Sequence, residues 1–74
     1  MWNTWRCEQC GTESDEKPTI IRFSYTLIDE TPGVVLIYLC DGCNSLIPKT
    51  NPVRRSQLVQ LFKGLYPNRE LKPE

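Results

Sequence analysis

A chain of 74 residues with nine basic and nine acidic side chains has no net charge, which excludes a global field of the kind that draws proteins onto nucleic acid. At this length a single apolar core supplies only about 3–5 kcal/mol of net stability, so an additional fastening is expected. With 39% hydrophobic and 24% charged residues the chain reads as globular, and no apolar run approaches the roughly 18–20 residues of a membrane span.

The start, Met1-Trp2-Asn3-Thr4-Trp5, lacks the basic-then-apolar design of a secretory signal. The expected location is cytoplasmic, with no membrane partner. The charge is nevertheless unevenly spread. Residues 1–43 carry three basic and seven acidic side chains, a balance of −4, whereas residues 44–74 carry six and two, a balance of +4. The molecule is expected to be dipolar.

In chain order, Trp2 and Trp5 stand beside the first cysteine pair, Cys7 and Cys10. Their aromatic rings suit either core packing over a hairpin or a binding surface. Gly11 to Pro18 is polar and acidic and reads as a solvated connecting loop. From Thr19 to Asp29 apolar and polar residues alternate, with Ile21, Phe23, Tyr25 and Leu27 on one face, which predicts a half-buried strand. Pro32-Gly33 suits a type II turn, because proline presets φ and glycine accepts the positive φ that follows. The return strand, Val34 to Leu39, is apolar on both faces and needs cover on both sides, from a helix, the tryptophans or another chain.

Beyond Cys40 and Cys43, Asn44 to Ile47 has room for at most one helical turn before Pro48. Asn51 then offers an N-cap with Pro52 at the first helical position. Leu58, Leu61, Phe62 and Leu65 follow at the spacing of an amphipathic helix over about 52–66, ended by Gly64 and Pro67. The remaining residues, 68–74, read as a flexible tail. The whole is one domain over 1–67, with its cysteine pairs and hairpin in 5–47.

Two CxxC pairs carry the chemistry. Thiolates at this spacing turn toward one ion, and two pairs make the tetrahedral sulfur cage that Zn²⁺ takes at about 2.3 Å per bond. Gly11 and Asn44, each directly after a second cysteine, tolerate the left-handed backbone such a knuckle uses. The hairpin returns Cys40 and Cys43 to the end that holds Cys7 and Cys10. One structural Zn²⁺ on Cys7, Cys10, Cys40 and Cys43 is therefore expected, with iron, two disulfides or a dithiol redox site as rival readings. The chain has no histidine, no glycine-rich phosphate loop and little bulk from which to build a pocket, so catalysis is not expected.

Cys7-Glu8-Gln9-Cys10-Gly11, an extended hairpin and Leu39-Cys40-Asp41-Gly42-Cys43 together resemble zinc-ribbon and treble-clef proteins over roughly residues 5–47. The layout is similar to the small zinc modules of Clp-type unfoldases and of the protein-arginine kinase activator, and to short phage or sporulation transcription regulators. The resemblance implies a small metal-stabilised α+β fold, either zinc ribbon or treble clef, that docks onto a larger machine. Only the four ligands carry over residue by residue. In a treble clef Cys40 and Cys43 would begin a helix, whereas Asn44 favours a knuckle.

The expected function is thus that of a non-catalytic zinc-binding regulator or adaptor with a protein partner, in the setting of transcription. Its candidate surfaces are Trp2 and Trp5 at one end and Arg54, Arg55 and Lys63 on the helix. These three cations straddle the apolar stripe at helical spacing rather than forming one face. Nucleic-acid binding through the basic half is the first alternative. A structural subunit that assembles, for example as a homodimer, through the apolar second strand is the other.

Overall fold

The computed structural model describes residues 3–73, so Trp2 lies outside the described residues. The elements run β1 (Trp5–Arg6), β2 (Glu13–Ser14), β3 (Thr19–Thr26), β4 (Pro32–Leu39), α1 (Asp41–Leu46) and α2 (Val53–Leu65). No helix among the described residues is long and apolar enough to cross a membrane.

The alternating pattern after Thr19 forms the main hairpin, with β3 and β4 antiparallel from Thr19 opposite Leu39 to Thr26 opposite Pro32. One face carries Ile21, Phe23 and Tyr25 beside Val35, Ile37 and Leu39, and it is the face that packs into the core. The buried set is completed by Cys7, Cys43 and Ile47 and by Leu58 and Phe62 of α2. Phe62 stands at the centre of an aromatic group, with ring centroids 5.4 Å from Phe23, 4.7 Å from Tyr25 and 5.2 Å from Tyr66. The apolar stripe of α2 is therefore what closes the hairpin's inner face.

The tight turn lies earlier than Pro32-Gly33. Leu27 N–H donates to the Thr31 carbonyl and Glu30 N–H to the Leu27 carbonyl, and Glu30 takes the left-handed conformation at φ 72°. This is a three-residue loop of Ile28, Asp29 and Glu30, the type I turn plus left-handed residue that matches hairpin twist. The Asp29 carboxylate accepts from Thr31 N–H and supports it. Pro32 and Gly33 belong to β4 instead. Because Leu27 and Thr31 form a hydrogen-bonded pair, Pro32 falls at a non-hydrogen-bonded position and costs the ladder nothing.

Gly33 is explained by space rather than by φ. A Cβ placed there would sit 2.3 Å from Tyr25 Cζ across the ladder. The ring cannot move aside cheaply, since its hydroxyl accepts a hydrogen bond from Arg69 and its face lies against Phe62.

Four further expectations are corrected. Residues 11–18 are not all solvated loop: Glu13–Ser14 pair with Trp5–Arg6, and Pro18 is buried. A two-residue pairing leaves no periodic trace in sequence. Asn44 does not adopt a left-handed knuckle; it lies within α1, its N–H donating to the Cys40 carbonyl as in any helical turn. Asn51 is not the cap of α2, which starts at Val53 after Pro52 with no side-chain cap, its early amides finding the carbonyls of Thr50 and Pro52.

The fourth concerns residues 68–73, which fold back along the hairpin rather than trailing. Ile28 N–H donates to the Glu70 carbonyl, Lys72 N–H to the Thr26 carbonyl, and Lys72 Nζ pairs with Glu30 at 2.7 Å. Outward backbone groups at the free edge of β3 supply the partners that a sequence of polar tail residues does not reveal.

Gly33→Ala is expected to destabilise the metal-loaded protein by about 1–3 kcal/mol, because the methyl must displace the Tyr25 ring. Denaturant unfolding of the two proteins checks this; equal midpoints would contradict it.

Candidate metal centre

The first cysteine pair sits in the tight connection between β1 and β2. Cys7 N–H donates to the Thr12 carbonyl at 2.8 Å and Gly11 N–H to the Cys7 carbonyl at 2.9 Å, with Gly11 at φ 80°. That positive φ lets the chain reverse around both sulfurs, a role a residue with a Cβ fills only under strain. The second pair is built differently. Cys40 leaves β4 in an extended conformation and occupies the N-cap of α1, while Cys43 lies inside the helix.

A two-point clamp joins the halves. Glu8 N–H donates to the Tyr38 carbonyl at 2.9 Å, and Tyr38 N–H donates to the Glu8 carboxylate at 2.7 Å. Glu8 thus holds the first pair against the strand end that delivers Cys40 two residues later. Thr19 adds a longer contact, its hydroxyl 3.4 Å from the Asp41 carboxylate at the start of α1.

The result is that the sulfurs of Cys7, Cys10, Cys40 and Cys43 all lie within 4.8 Å of one another. All four are free cysteines in this structure. Cys10 Sγ and Cys40 Sγ are 3.7 Å apart. A tetrahedral cage with metal–sulfur bonds of about 2.3 Å has edges of about 3.8 Å, so the donor set fits an ion of that size. Both pairs converge on one point, as shared ligation requires.

Ionisation is divided unevenly among the thiols. Burial pushes Cys7 up, but backbone amides of Cys10, Cys40 and Gln9 directed at its sulfur outweigh this and bring it down to about 6. The hydroxyl and amide of Thr12 lower Cys10. Cys43 is pushed up to about 12, first by its hydrogen bond with Cys40 and then by burial. Thiolates this close repel one another, and a divalent cation is what allows all of them to ionise together.

The other candidate residues are dispersed. Trp5 is half-buried against the core and its indole N–H donates to the Glu16 carbonyl. Arg54 reaches the Pro48 carbonyl at 3.4 Å. Arg55 donates to the Ser24 carbonyl at 2.8 Å and lies 4.4 Å over the Phe23 ring, serving the hairpin edge. Arg55 and Lys63 do share an open groove of about 630 Å³ with Lys72, but Arg54 is not among its lining residues. Sequence reasoning missed Glu8, whose place between two ligands was its only signal, and Lys72, which was assigned to a loose tail.

Comparison with protein-family models, curated proteins and solved structures gave no match.

Each of Cys7→Ser, Cys10→Ser, Cys40→Ser and Cys43→Ser is expected to remove bound metal, measured as ions per chain by elemental analysis. A strong chelator is expected to abolish the folded circular-dichroism spectrum of the native protein. Since a proton held by Cys43 must leave when all four sulfurs become ligands, metal affinity falls as pH falls. Competition titrations against a chelator of known affinity at several pH values check the sign; affinity that rises on acidification would contradict it.

Proposed function

We propose that the chain is a non-catalytic zinc module of treble-clef layout that acts as a regulator or adaptor by binding a protein partner. An all-sulfur set of four donors favours Zn²⁺ over harder cations, and iron is the alternative such a set admits. The treble-clef reading is supported by Cys40 at the N-cap of α1 and Cys43 within it. The dipole of so short a helix still favours the negative charge of a metal–thiolate group at its start.

The observation that carries the protein-partner reading is the outer face of the hairpin. Ile20, Val34 and Leu36 remain 40%, 50% and 48% exposed there, alongside Tyr38. Three exposed aliphatic side chains on one sheet face, with Arg22 opposite Leu36, suit a protein interface. Arg55, Lys63 and Lys72 border one groove, but Arg54 lies outside it and Arg54 and Arg55 are engaged by separate backbone carbonyls, which gives the nucleic-acid reading less support. A second copy of the chain on the same face is the structural-subunit alternative.

Leu36→Glu is expected to keep its zinc and its fold while losing a partner that the wild-type protein retains in affinity capture. Sedimentation of the wild-type protein separates the alternative: a stable dimer abolished by Leu36→Glu would replace the adaptor reading. Micromolar or tighter binding to DNA or RNA that falls steeply with salt would instead favour nucleic acid.

A further inference from the structure

The four sulfurs are not equally accessible. Cys7 and Cys43 are 1% and 7% exposed, whereas Cys10 is exposed and Cys40 half-buried. Cys10 stands on the turn between β1 and β2, and the Thr12 hydroxyl lies 3.1 Å from its sulfur. An oxidant in solution therefore meets Cys10 first. Across the cluster the Cys40 sulfur is 3.7 Å away, in hydrogen-bonding contact with it.

We propose that Cys10 is a site of oxidation by hydroperoxides and that Cys40, rather than its CxxC neighbour Cys7, resolves it, so that oxidation converts the metal centre into a disulfide between the two halves. The Cys10 thiolate attacks the O–O bond, giving a sulfenic acid and releasing an alkoxide, which is hydroxide when the oxidant is hydrogen peroxide; the peroxide is reduced and sulfur oxidised by two electrons. The Cys40 thiolate then attacks the sulfenic sulfur, forming the S–S bond and expelling hydroxide. Cys7 is disfavoured as the resolving group because it is buried in the core. Both sulfurs of the new bond leave the donor set, and the two remaining thiolates hold the ion far less tightly. The cross-link joins the first cysteine pair to the N-cap of α1, so the hairpin stays closed without metal. A thiol reductant reverses the step.

The proposal rests on the zinc-module reading, and metal content with the circular-dichroism spectrum is measured before any oxidant is added. A chain that carries no metal at that stage overturns the zinc reading and this one with it. The zinc-loaded protein is then treated with hydrogen peroxide, with released zinc followed by a chromogenic chelator and disulfides mapped by peptide mass spectrometry. The expected result is near-complete zinc release, a Cys10–Cys40 disulfide, and recovery of zinc binding on reduction with dithiothreitol. A disulfide within either CxxC pair, sulfinic acid without a disulfide, or retained zinc would overturn this proposal and leave the zinc module standing. Thr12→Val keeps all four ligands and removes the hydroxyl beside Cys10. Loss of one net hydrogen bond to that sulfur is expected to speed zinc release about threefold or more. An unchanged rate would overturn Cys10 as the attacked sulfur.

Discussion

Convergence of four sulfur atoms within 4.8 Å is the constraint on which the rest of the molecule depends. Left to themselves, thiolates at this separation repel and cannot all ionise, so a cation is what would let all four carry charge together. The cluster is also part of the core, since Cys7 and Cys43 are buried in the same group as Ile37, Leu39 and Phe62. A metal ion held there would therefore tie ligation to apolar packing.

The hairpin transmits that constraint outward, and its two edges are treated differently. Along β3, the carbonyls of Ser24 and Thr26 receive Arg55 and the Lys72 amide, so α2 and the C-terminal segment cover this edge. Along β4, Glu8 satisfies both backbone groups of Tyr38, but only next to the metal centre. Farther along, Val34 and Leu36 point to the outer face and stay half-exposed. Through Cys40, the cysteine cluster thus adjoins the end of the strand that carries the candidate partner surface. A change in how Cys40 is held bears directly on the strand that presents Leu36.

Much of the site was legible in the residues themselves. Two CxxC pairs, separated by a stretch with strand periodicity, imply both the ligands and the means of bringing them together, because a hairpin returns its second end to its first. Glycine after Cys10 carried a true conformational signal, whereas asparagine after Cys43 did not. Tetrahedral ligation asks only that two sulfurs face one point, and a helix with its first cysteine at the N-cap meets that demand as well as a knuckle does. The helix formed because Asn44 N–H could bond the Cys40 carbonyl.

By itself, then, the sequence determined the four clustered cysteines, the hairpin faces and the apolar stripe of α2, all of which follow from local spacing and the two periodicities of backbone geometry. Only the tertiary structure decided that Gly33 makes room for Tyr25, that the C-terminal segment closes the edge of β3, and that Arg54 and Arg55 serve separate carbonyls. It also made the metal centre unsymmetrical, with two sulfurs buried and one exposed. The reason is physical: these outcomes depend on which backbone groups and side chains from distant segments meet, and no local pattern encodes a meeting between residues as far apart as Ser24 and Arg55 or Thr26 and Lys72.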